Sequence, residues 1–254
     1  NPLYQKVKDL IDSGELGELR RSNWIITNWY RSQSYYNSGG WRATWKGEGG
    51  GVLLNQDPHQ LDLWQWLVGM PVRMRAFCQF GKHRDIEVEN DVTAYAEYAN
   101  GATGVFITTT AEAPGTNRLE ITGDRGKVVV EEGRLRFWRL RESEPEFNAR
   151  WQNGFGEPEC WEVVIPTPPE SSEHHVVTAN FCDAVLHGKP LIAPGTDGIR
   201  GLTLSNAMHL STWTDDWVNL PFDEALFKKL LDERIATSVE KQVESKTLDA
   251  SGTW

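Results

Sequence analysis

Asn55, His59 and Asp62 are the residues of this chain whose types and spacing could do chemistry. His59 lies four residues after Asn55, and Asp62 three further on, so a continuous helix would put all three on one face. They follow Gly49-Gly50-Gly51, within a stretch that is otherwise apolar through Leu53, Leu54, Leu61 and Trp64. An imidazole titrates near neutrality and can move a proton at a hydroxyl. The Asn55 amide can hold such a hydroxyl through its donor and its acceptor, but it cannot take the proton or raise the imidazole pKa by charge. Asp62 can orient a neighbour or touch a ligand. The plain alternative for His59 is a buried ring bonded to a backbone carbonyl.

Just upstream lies a set of aromatic and basic residues, Tyr30, Arg31, Tyr35, Tyr36, Trp41, Arg42 and Trp45. Aromatic faces with a few polar groups suit a polyol, whose C–H surfaces stack while its hydroxyls bond, and about half of the set is expected to touch ligand. Three glycines before a helix could attract an anion through backbone N–H groups. No Gly-Lys-Ser/Thr follows them, so the preferred reading is close backbone approach to a cofactor or substrate at Gly50 and Gly51. No metal site is expected, because His174-His175 has no acidic or cysteine partner at ligand spacing.

The chain has 254 residues and a net charge of -10, ordinary for one large or two small domains. The acidic balance argues against a nucleic-acid partner. No run is apolar enough to span a bilayer and no secretory signal is visible, so cytoplasm is the default compartment. Cys78, Cys160 and Cys182 are too widely spaced for a zinc site or a disulfide framework and read as reduced, mostly buried thiols.

The elements that would position these residues can be read from periodicity. Leu3, Val7, Leu10 and Ile11 predict a helix over 3–13, and a strand is expected at 19–29. Residues 30–51 form a loop long enough to serve as a lid or binding surface. Pro58 conflicts with a single helix from Val52. A short turn at 52–56 followed by a kinked helix resolves this, with Asp57 as N-cap, Gln60 completing a capping box and Gly69 as the stop. Trp64 and Trp66 are both expected to be buried in it.

From Pro71 the period becomes two, predicting an antiparallel meander with strands near 72–80, 92–98, 103–111, 117–122, 127–131 and 134–140 and a hairpin at Asn100-Gly101. Residues 141–158 read as a polar loop, followed by a strand at 161–165 and helices at 173–187, at 198–213 and from N-cap Asp223. The expected fold is α+β, a large open mostly antiparallel sheet with helices packed on one face. The domain is expected over 1–237, with 238–254 as a C-terminal tail.

The pattern Gly-Gly-Gly-x-x-x-(Asp/Asn)-x-x-x-His-x-x-Asp resembles the signature in the C-terminal domain of Gfo/Idh/MocA-type dehydrogenases, the glucose-fructose oxidoreductase and inositol dehydrogenase group. Tyr4–Gly17, Ile121–Gly126 and Phe181–Val185 are also similar to family patterns, and Arg42 resembles an arginine found before the glycine run. The resemblance implies a substrate-binding and oligomerisation domain whose partner domain holds NAD or NADP. It also implies hydride exchange between the nicotinamide and a sugar or cyclitol secondary hydroxyl, with His59 as acid/base and Asn55 beside it. Tyr30, Arg31, Tyr36, Trp41, Arg42, Trp45 and Asp62 would bind the sugar, and copies would associate through the sheet face.

No Gly-x-Gly-x-x-Gly follows a strand here, so the cofactor domain is expected to be missing and the fragment alone inactive. Two other readings stay open: a non-catalytic carbohydrate-binding module and an assembly domain.

Overall fold

The computed structural model describes residues 1–167, 173–239 and 241. It opens with helix α1 (Pro2–Asp12), capped by the Asn1 side chain, and strand β1 (Leu19–Ile26). Three helices follow, α2 (Gln33–Tyr36), α3 (Val52–Asn55) and α4 (Pro58–Val68). Next come β2 (Arg73–Phe80), β3 (Glu89–Glu97), β4 (Thr103–Thr109), β5 (Asn117–Gly123), β6 (Gly126–Glu131) and β7 (Arg134–Leu140). The chain continues through α5 (Glu144–Arg150), β8 (Cys160–Val163), α6 (Glu173–His187), α7 (Gly198–Thr214), β9 (Val218–Asn219) and α8 (Glu224–Thr237).

The strands form one nine-stranded sheet in the order β8-β7-β6-β5-β1-β4-β3-β2-β9. It is not a pure meander. β1 lies between β4 and β5 and runs parallel to β4, with Arg21 opposite Thr103 and Trp24 opposite Phe106. Trp24 and Ile26 are fully buried, so insertion at the centre of the sheet covers a strand that the meander reading leaves without a place.

Period-two alternation sorts the two faces. Trp24, Met74, Ala76, Val92, Ala94, Phe106, Ile121, Val128 and Phe137 point toward α1, α4 and α7 and make the core. On α4, Leu61, Trp64 and Leu67 are buried, and the Trp64 indole donates to Ser22 Oγ at 2.8 Å. Trp66 is exposed, because two residues along a helix is a rotation of about 200°. The opposite sheet face is uncovered, with Phe77 and Tyr95 exposed on β2 and β3 and Arg118 pairing with Glu120 and Glu131 further along the sheet on β5 and β6.

Four further local expectations change. The 141–158 stretch contains α5, held by a capping box in which Ser143 and Glu146 bond reciprocally, with Phe147 buried beneath it. The 30–51 loop contains α2. The break before α4 is as expected, but Asp57 forms no cap hydrogen bond and the Gln60 Oε1 has no partner among the described residues. Of the three free cysteines only Cys78 is buried, whereas Cys160 and Cys182 are exposed. Gly69 ends α4 at φ 83°, as expected. Residues 238, 239 and 241 of the expected tail are tied to the domain, and 242–254 lie outside the described residues.

Candidate functional site

The candidate site gathers where β1 and β4 end and β3 begins. Its foundation is Glu89, the first residue of β3, which is fully buried. The Gly51 N–H donates to both carboxylate oxygens at 2.9 Å, and the Leu53 N–H donates to Oε1 at 3.0 Å. These are the orphan amides of the start of α3. His209 of α7 brings Nε2 to 2.9 Å from Oε2, within ion-pair range although not aligned as a hydrogen bond. A Cβ on Gly51 would meet the Glu89 carbonyl oxygen at 2.0 Å, and one on Gly50 would meet Leu54 at 2.7 Å. Gly51 is therefore required by close packing against the β3 backbone, whereas the Gly50 contact is with the movable end of the Leu54 side chain.

α3 delivers Asn55 to the surface, where its amide enters a polar network. The Asn55 amide donates to Glu48, while its Oδ1 accepts from Gln56 at 2.6 Å and from the Tyr35 hydroxyl at 3.3 Å. Arg42 Nη1 donates to the same hydroxyl at 2.9 Å. Burial raises the Glu48 pKa, opposed by the Ala43 N–H, Asn55 and Arg42. The Arg42 guanidinium also stacks on Trp41 at 4.5 Å and on Tyr35 at 4.6 Å. Arg31 lies 5.1 Å from the Tyr35 ring, and Arg84 lies 5.2 Å from the Tyr30 ring while donating to the Arg31 carbonyl. Tyr30 and Trp41 are half exposed.

His59 stands in the first turn of α4, beyond the Gln56-Asp57 break. It is exposed and makes no hydrogen bond or ion pair among the described residues. A histidine so placed can receive a substrate hydroxyl directly. Asp62 is also exposed and accepts from Gln65 at 3.0 Å. Neither is bonded to Asn55, since the break interrupts the continuous helix that would have aligned them.

Two members of the aromatic set lie away from the open face. Tyr36 is buried and shares a hydrogen bond of 2.7 Å with Thr110 Oγ1. Trp45 is buried among Phe80, His209 and Trp213. They support the loop that carries Arg42. Asp57 is fully buried under the start of α4; burial pushes its pKa up to about 8, opposed by the nearby Thr108 hydroxyl and reinforced by Glu89.

Sequence reasoning missed Glu48, Gln56, Arg84, Glu87, Glu89 and His209. None had a signal that the sequence alone could read; Glu89 stands in a polar Glu89-Asn90-Asp91 start of β3 like any exposed strand end. A cavity of about 310 Å³ lined by Arg21, Met70, Tyr98 and Thr103 lies at the other ends of β1 and β4, away from His59. Among the described residues no trio of His, Cys, Asp or Glu is gathered as metal ligands, and no helix is long and apolar enough to cross a membrane.

Residues 4–129, which span α1 through most of β6, match the model of the GFO/IDH/MocA C-terminal domain. Over that stretch the chain belongs to the GFO/IDH/MocA family. The glycine run, Asn55, His59 and the aromatic loop all fall within this GFO/IDH/MocA domain. Among solved structures, the chain is similar to the WlbA dehydrogenase of Chromobacterium violaceum in complex with NADH and UDP-GlcNAcA. The identity is 27%, the match covers 88% of this chain and 61% of that one, and the TM-score is 0.70. The WlbA dehydrogenase of Bordetella pertussis, also with NADH and UDP-GlcNAcA, is 24% identical over 88% and 61%, with TM-score 0.68. Aldose-aldose oxidoreductase from Caulobacter crescentus, complexed with glycerol, shares the fold at 18% identity over 87% and 61%, with TM-score 0.66. The chain thus spans about three fifths of these structures. No curated protein matches the sequence.

Proposed function

We propose that this chain is the substrate half of an NAD(P)-dependent dehydrogenase that oxidises, or in reverse forms, a secondary hydroxyl of a sugar or cyclitol. One observation carries the reading: His59 is exposed and unpartnered at the start of α4, one turn beyond the Asn55–Tyr35–Arg42 network. The nicotinamide, when bound, would supply or accept the hydride. His59 would take the hydroxyl proton as the C–H hydride leaves, a role typically worth about 10²–10⁴-fold in rate. Asn55, held by Gln56 and Tyr35, would orient that hydroxyl, and Tyr30, Trp41, Arg31 and Arg42 would form the open wall against the ring. Asp62 would border the same opening.

The Gly51 amide is occupied by Glu89, so NAD or NADP is assigned to a second domain of the kind this chain does not cover in its structural neighbours. The exposed apolar side chains of α6, among them Val177, Phe181 and Val185, offer a face for that domain. Self-association through the uncovered sheet face around Phe77 and Tyr95 belongs to the same reading.

The test uses the full-length gene product. Absorbance at the nicotinamide band is followed with NAD or NADP across sugars and inositols, for wild type and His59→Ala. Turnover that collapses in the variant while cofactor still binds supports the reading. Sugar binding indifferent to His59, with no turnover by the wild type, favours a carbohydrate-binding module instead.

A further inference from the structure

Three arginines converge on this wall without a carboxylate in ion-pair contact. Arg31, Arg42 and Arg84 form no ion pair among the described residues; Arg21, Arg125, Arg134, Arg200 and Arg234 form none either, but these three are gathered on the aromatic rings of Tyr30, Tyr35 and Trp41. This occurs in a chain of net charge -10, where acceptors are plentiful. Glu48 is near Arg42, but its oxygens accept from the Ala43 N–H and the Asn55 amide. Arg31 and Arg42 both lie against Tyr35, and Arg84 is fastened to Arg31 through its carbonyl at 2.8 Å. Two donors are left over: Arg31 Nε and Arg84 Nη2 are buried and have no hydrogen-bond partner among the described residues.

A buried guanidinium N–H without an acceptor is costly, and planar guanidinium groups suit the oxygens of carboxylates and phosphates. Stacking on Tyr30, Tyr35 and Trp41 holds the three cations without neutralising them. We infer that Arg31, Arg42 and Arg84 form an anion subsite, and that the substrate is a sugar bearing a carboxylate or a phosphate. This rests on the dehydrogenase reading for the site's use, but it stands on binding alone. A neutral polyol would leave the three charges unanswered, while an anion held there would fix the sugar ring with one edge toward Asn55 and His59. The sequence showed two of these arginines within a sugar wall; the third, Arg84, comes from the loop between β2 and β3.

The experiment is a calorimetric titration of the full-length protein in low-salt buffer free of phosphate. The probes are D-glucuronate, D-glucose 6-phosphate and UDP-glucuronate, compared with D-glucose and myo-inositol. At least one acidic probe should bind about 10-fold or more tightly than the neutral ones, as expected from one or two charge-assisted hydrogen bonds. Glucuronate alone identifies a carboxylate subsite; glucose 6-phosphate or only the UDP sugar identifies a phosphate subsite. Arg31→Gln, Arg42→Gln and Arg84→Gln should each cut the preference, while Arg42→Lys, which keeps the charge, should retain part of it and reports on folding.

Equal affinity for acidic and neutral probes, no binding of any probe, or a preference that survives all three glutamines overturns the subsite. Turnover of neutral sugars indifferent to the arginines removes the subsite and leaves the dehydrogenase. Acidic sugar binding lost in the arginine variants, without turnover of any substrate, does the reverse.

Discussion

Glu89 and His209 meet at 2.9 Å in the core, and through that contact a carboxylate on β3 ties α7 to the turn that presents Asn55. Both side chains are almost wholly buried, so Glu89 relies on His209 and the two amides for its polar partners, and His209 on Glu89. Glu89→Ala leaves the Gly51 and Leu53 amides and His209 facing a void. It should cost about 2–6 kcal/mol in denaturant unfolding, since each buried N–H left without its acceptor costs about 1–3 kcal/mol. Glu89→Gln keeps the shape and an acceptor and should cost clearly less. Equal losses for the two variants would show that the charge of Glu89, and not its shape, holds the turn.

Asp57 gives a pH dependence with a definite sign. Its carboxyl titrates at about 8 in the folded chain against an ordinary 3.8, so folding favours the neutral acid. The stability it supports is complete below pH 4 and is lost as pH rises toward and through 8. Asp57→Asn removes the ionisation and should therefore unfold at a higher temperature than wild type at pH 8.5, with the gap closing at pH 4. The high-pH gain is on the order of a few kcal/mol at most. A gap that widens toward acid would mean the carboxylate is charged and paired in the folded state.

Ser238, Val239 and Lys241 hold down the loop of residues 30–51. Glu87 accepts from Ser238 Oγ and the Val239 N–H at 2.6 Å each, and from the Trp45 N–H at 3.1 Å, while Lys241 donates to the Arg42 carbonyl at 3.2 Å. Burial works against the Glu87 charge, but these donors hold its pKa below the usual range. Truncation after Thr237 should speed hydrogen exchange at Trp45 at least tenfold while leaving the β3 and β4 amides unchanged. Unaltered exchange at Trp45 would show that the loop stands without this strap.

If copies associate through the sheet face, Phe77→Glu with Tyr95→Lys should shift the elution volume to that of a smaller species without lowering the melting temperature, since both side chains are exposed. Unchanged elution would direct attention to another surface.

His59→Ala should leave the unfolding free energy within about 0.5 kcal/mol of wild type, as for other exposed sites free of special contacts. A large loss would place His59 in a structural role.

Much of the fold was legible because its signals are local. Period-two runs marked six strands, and Asp57-Pro58 and Gly69 bracketed α4. Ser143-Glu144-Pro145-Glu146 spelled the capping box of α5, a signal present in the sequence and passed over within a polar stretch. What escaped was long-range. Placing β1 between β4 and β5 depends on pairing across the chain, and nothing near residues 19–26 announces it. The site divides in the same way. Arg31, Arg42, Asn55 and His59 stand out by type and spacing. Glu48, Arg84, Glu87 and Glu89 matter only because folding brings them within bonding distance of residues far along the chain or across a loop. Tyr36 and Trp45 look like their exposed neighbours in sequence, yet packing against Thr110 and Trp213 removes them from the surface.

The central position of β1 also sets an order of events in time. Arg21 finds its partner only when Thr103 exists, and the β5 partners come later still. At roughly 5–20 residues per second of synthesis, β1 stays unpaired for several seconds while β2 and β3 already form a hairpin. Closing so long a segment before any parallel ladder forms makes the middle of the sheet its slowest part to assemble. The loop bearing Tyr30, Arg31 and Arg42 begins four residues after β1 ends, so binding of any ligand to it reports the completion of that last join.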